Sequence, residues 1–141
     1  MIVIAIIGLL IGVGTIGWTT AMKAGNETAA AQMMKNLQAF EAQYASRNKG
    51  NFANFDELVT KMGLDDAFKG ENPVKNGYTF QLTVVPASAG AAASYKLMAK
   101  PQTSGGITAS GNRTYYVDSD LSSIKYTDEP RDVNPASDPS L

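Results

Sequence analysis

The chain has 141 residues, a formal charge of −1 from 12 Lys and Arg against 13 Asp and Glu, and neither cysteine nor histidine. This is room for one small domain plus an accessory segment, with no overall field to draw nucleic acid or an acidic membrane surface. Without cysteine and histidine there is no disulfide, no thiolate metal site, and neither the commonest general base nor the usual zinc ligands, so an enzyme is not expected.

Met1 to Met22 carries no charged residue, and the run MIVIAIIGLLIGV is interrupted only by Gly8 and Gly12. An apolar stretch of about 18 or more residues matches a bilayer core, where backbone polar groups must bond one another, so residues 1–22 read as a membrane helix. Within it Ile4, Ile7, Gly8 and Ile11 are the residues expected to meet other helices. Gly12, Gly14 and Gly17 each cost a helix interior about 1 kcal/mol relative to alanine. Two compatible readings follow: close approach of a second membrane helix, or a flexible segment that locally unwinds. Trp18 suits the interfacial boundary.

Beyond Lys23 the apolar residues Ala30, Met33, Leu37, Phe40 and Tyr44 recur at steps of three and four, which predicts one amphipathic face. Glu27, Lys35, Glu41 and Arg47 are expected largely off that face. No proline precedes Pro73, so residues 23–48 continue the same helix, and Met33, Leu37, Phe40 and Tyr44 are expected to pack on the chain's own sheet.

Residues 49–127 read as a globular head. Asn54 caps a short helix, with Asp56 and Glu57 in its first turn, Lys61 in its last and Gly63 just beyond. GENPVKNG has turn composition. Strands are predicted at Tyr78–Val85, Ser94–Lys100, Arg113–Val117 and Ser123–Thr127, about four in all, joined by the small, polar loops ASAGAAA and PQTSGGITASGN. The remainder, 128–141, with three prolines and several acids, reads as an extended tail ordered only by a neighbouring subunit.

MIVIAIIGLL is similar to the segment that directly follows the start of mature type IV pilins, including the glycine at Gly8. FANFDELVTKMGL resembles the short helical segment after the pilin helix, and TYYVDSDLSSIKY the closing hairpin of many pilin-like proteins. The resemblance to type IV pilins and type II secretion pseudopilins implies an α+β pilin fold, a long N-terminal helix on a small antiparallel sheet. It further implies the major subunit of an extracellular filament that waits in a bacterial inner membrane before assembly. Its partners would be identical subunits and an inner-membrane assembly machine driven by a cytoplasmic ATPase. The family's leader, methylated first residue and acidic residue would all fall before Met1, so no residue here inherits that acid's role. The glycine cluster stands where many pilins have a proline. A pseudopilin, or a single-pass anchored binding domain that does not polymerise, is the alternative.

Pseudopilins commonly bind calcium in a C-terminal loop. Asp118, Asp120, Ser122 and Glu129 have the spacing of an EF-hand loop, but Ser123 stands where that loop needs glycine and TYYV precedes it as strand rather than helix. A less regular calcium site at Asp118 and Asp120 is the weak candidate, and no other cofactor is expected. Asn26-Glu27-Thr28 and Asn112-Arg113-Thr114 fit the N-glycosylation pattern.

Overall fold

The structure is a computed structural model that describes residues 1–103 and 108–141, with only the backbone at positions 13, 15 and 16; the middle of the loop expected between Pro101 and Asn112 lies outside these residues. One helix, α1, runs unbroken for 46 residues from Ile2 to Arg47, a rod roughly 70 Å long at about 1.5 Å per residue. The alanine-rich middle favours it, and helical backbone continues through Gly12, Gly14 and Gly17. Left-handed Lys49 and Gly50 (φ 58° and 83°) turn the chain back, and the Gly50 amide donates to the Ala45 carbonyl at 2.8 Å.

Among the described side chains, the buried face of α1 lies in its second half, formed by Ala30, Met34, Leu37, Glu41 and Tyr44. The expected stripe is therefore displaced: Met33 and Phe40 flank it, partly buried against the core. Glu41, expected off the face, lies at its centre with no exposed surface.

Helix α2 (Phe55–Met62) begins with a reciprocal capping box. The Glu57 amide donates to Asn54 Oδ1 at 2.9 Å, and the Asn54 amide donates to Glu57 Oε2 at 3.2 Å. Gly63 ends it in the left-handed conformation, φ 75°. A short 3-10 turn, Asp66–Phe68, then carries Phe68 inward between Phe55 and Phe80, with ring centroids 5.6 and 5.3 Å away.

Among the described residues five strands, β1 (Val74–Lys75), β2 (Tyr78–Val85), β3 (Ser94–Pro101), β4 (Thr114–Asp118) and β5 (Lys125–Thr127), pair in chain order as an antiparallel meander. Inward Tyr78 and Phe80 alternate with outward Gln81 and Thr83, and inward Tyr95, Leu97 and Ala99 face α1 and α2 across one core. Strand β1 was not expected. Asn76 and Gly77, both at positive φ, form the two-residue turn that pairs it with β2.

The segment after Thr127 differs from the expected extended tail. It folds back on the chain's own head: the Tyr126 amide donates to the Pro139 carbonyl at 3.1 Å and the Leu141 amide to the Ile124 carbonyl at 2.8 Å. Val133 is buried on the way.

Candidate functional site

The first half of α1 projects away from the head. Ile4, Ile7 and Ile11 are 72%, 51% and 63% exposed, and Ile2, Val3, Ile6, Leu9 and Leu10 are likewise open on every side of the rod. Among the described residues this is the one helix long and apolar enough to cross a membrane, by length and composition. Gly8, Gly12, Gly14 and Gly17 lie on the same projecting half, and a Cβ at any of them would meet nothing within 4 Å. Among the described residues, no side-chain packing requires a glycine there. Trp18, 69% exposed, stands near its end.

Where the helix joins the head, two seams hold it. At the first, Asn26 Nδ2 donates to the Ser110 carbonyl at 2.8 Å, Glu27 Oε1 accepts from the Asn112 amide at 2.8 Å, and the Tyr115 hydroxyl donates to the Glu27 carbonyl at 3.2 Å. The Asn26 carboxamide is thus already engaged, whereas Asn112, the acceptor position of the other glycosylation pattern, is exposed. At the second, the Tyr44 hydroxyl donates to Glu57 Oε1 at 3.4 Å while Lys61 Nζ reaches the Tyr44 oxygen at 3.3 Å. One turn earlier Glu41 Oε2 accepts the Ala53 amide at 3.0 Å, and Oε1 is buried with no partner. Burial, reinforced by the nearby Glu57 charge and only partly offset by the Ala53 hydrogen bond, pushes the Glu41 carboxyl up to about 7.

The structure gives Asp118 a local task. Its Oδ1 accepts the amides of Asp120 and Leu121, both at 3.0 Å, and its Oδ2 accepts the Tyr116 hydroxyl at 2.9 Å. This is the geometry of an Asx turn that closes β4. Among the described residues no three His, Cys, Asp or Glu side chains gather as a metal site. A polar cleft of about 310 Å³ is lined by Lys100, Asn112, Thr114, Asp128, Arg131 and Asp132. Its ionic groups are paired: Lys100 with Asp132 at 2.5 Å, and Arg131 with Asp138 at 2.7 Å.

The molecule is therefore an α+β head carried on one long helix whose apolar outer half projects away from the head. Comparison with protein-family models, curated proteins and solved structures finds no match.

Proposed function

We propose that the chain is the structural subunit of a type IV pilus-like filament, held in a membrane by residues 1–22 before assembly and polymerising through them afterwards. The observation that carries this reading is a helix half whose side chains from Ile2 to Ile11 are apolar and exposed, with glycines at 8, 12, 14 and 17, continuous with a half that is locked into the head. In water that surface is costly at about 25 cal/mol per Å², and at roughly 1.5 Å per residue its length is close to the ~30 Å of a bilayer core. Lipid satisfies it, and so does a bundle of identical helices.

Glycines at which an added Cβ would meet open space permit close approach by a neighbouring helix. Moving from lipid to such a bundle has little hydrophobic driving force, because both surroundings are apolar. Assembly then needs an external energy source, the role the pilin resemblance gives to an inner-membrane machine with its ATPase. Identical subunits adding head to tail without closing a ring make a helical polymer, with the heads outermost and the fibre outside the cell.

Electron cryo-microscopy of material sheared from cells making the full chain tests this. Helical fibres with a core of near-parallel α-helices that fit residues 1–22 are the expected result. A chain that stays monomeric in the membrane fraction overturns it in favour of an anchored binding domain.

A further inference from the structure

Glu41 is a charged residue type in the middle of an apolar face, and it serves neither membrane insertion nor helix bundling. Its carboxyl has no exposed surface. One oxygen holds the Ala53 amide, just ahead of the Asn54 cap of α2, and the other faces no donor. An ionised carboxylate seeks donors at both oxygens, so a buried orphan oxygen suits the neutral acid and penalises the anion. Two other titratable groups act on this point: Glu57 from α2, which disfavours a second negative charge, and Tyr95 from β3, whose own ionisation Glu41 opposes.

We propose that Glu41 is a proton-operated latch between α1 and the Asn51–Asn54 segment that leads into α2. With the carboxyl neutral, the segment closes on the helix and the Ala53 amide is held. With the carboxyl ionised, the segment must part enough to admit water to the orphan oxygen, and the α1–α2 seam loosens without unfolding the sheet. The latch does not depend on the filament reading, since every group in it belongs to one chain.

The sense of the pH response follows from the carboxyl lying near 7 in the closed head against 4.5 when free. Closure is complete below the free value, weakens as pH rises from there through about 7, and is level above. The ratio of these two acidities allows closure to weaken by up to roughly 300-fold.

The test uses the full chain in detergent micelles, isotope-labelled, with two nuclear magnetic resonance readouts between pH 4 and 9. The Glu41 side-chain carboxyl is expected to titrate near pH 7. Exchange of the Ala53 amide, corrected for the intrinsic base-catalysed rate, is expected to quicken over the same interval. In Glu41→Gln, which cannot ionise, that extra quickening is expected to vanish. A Glu41 midpoint below 5, or a midpoint near 7 with unchanged Ala53 protection, overturns the latch. Both readouts exist in the unsubstituted chain, so they decide the question even if the variant does not fold.

Discussion

Arg131 and Asp138 face each other as a two-pronged pair, Nη1 to Oδ2 at 2.8 Å and Nη2 to Oδ1 at 2.7 Å. The Asn134 amide adds a third hydrogen bond to Oδ2 at 2.6 Å. These contacts close a loop in the C-terminal segment and set Pro139 and Leu141 against the outer side of β5. A sheet edge left open is a template for unwanted pairing. Here the chain covers part of its own edge.

Replacing Asp138 by Ala is expected to release the segment from about residue 128 onward while β2 and β3 stay protected, as hydrogen exchange would record. The Arg131 guanidinium, with the Asn134 amide second, holds the Asp138 carboxyl down at about 2 against an ordinary 3.8. Its contribution is thus present above 3.8 and is lost as pH falls through about 2. Acid exchange of the Tyr126 and Leu141 amides should rise in that window, and the D138A variant should show no such transition.

A charge in the projecting half should block polymerisation while sparing the head. Gly8→Glu and Ile11→Glu are each expected to abolish sheared fibres yet leave the amide spectrum of residues 49–141 unchanged. Normal fibre yield from both variants would count against a core made of these helices.

The displaced helix face makes a sharp comparison. Met34→Ala empties a wholly buried site and is expected to cost about 2 to 5 kcal/mol in denaturant unfolding. Met33→Ala, on the partly buried flank, should cost less. Equal losses would contradict the burial of Met34 on α1.

Gly63 and Gly77 separate backbone strain from collision. Both sit at positive φ, near 75°, but a Cβ at Gly63 meets nothing within 4 Å while one at Gly77 would lie 2.7 Å from Ser110 Cβ. Gly63→Ala is expected to destabilise by about 1 kcal/mol. Gly77→Ala should lose more, because the β1–β2 turn must also push away from the loop ahead of β4. Thermal unfolding of the two variants, run side by side, reads the difference.

The sequence carried the long helix plainly, since a charge-free run followed by three- and four-residue spacing has no other regular solution. It also carried β2, where aromatic and β-branched residues alternate over a full strand, and the Asn54 and Gly63 caps. Strand β1 is too short for any period to register; only the Asn76-Gly77 turn pointed to it. Glu41 was legible in principle, because Met34, Leu37, Glu41 and Tyr44 step by three, four and three, but a carboxylate is ordinarily read as facing water. The C-terminal fold was hidden for another reason. Prolines and acids look like a solvated tail, and the Arg131–Asp138 match depends on geometry that no periodicity records.

One rod runs without a joint from Ile2 to Arg47. Any tension applied to its apolar end is therefore carried along a single ladder of backbone hydrogen bonds into the head. There it meets the contacts of Met34, Leu37 and Tyr44 parallel to their interface, so these contacts bear the load together instead of peeling apart one by one. The head is mounted on a strut, and its mechanical strength is set by side chains more than 30 residues from the point of pull.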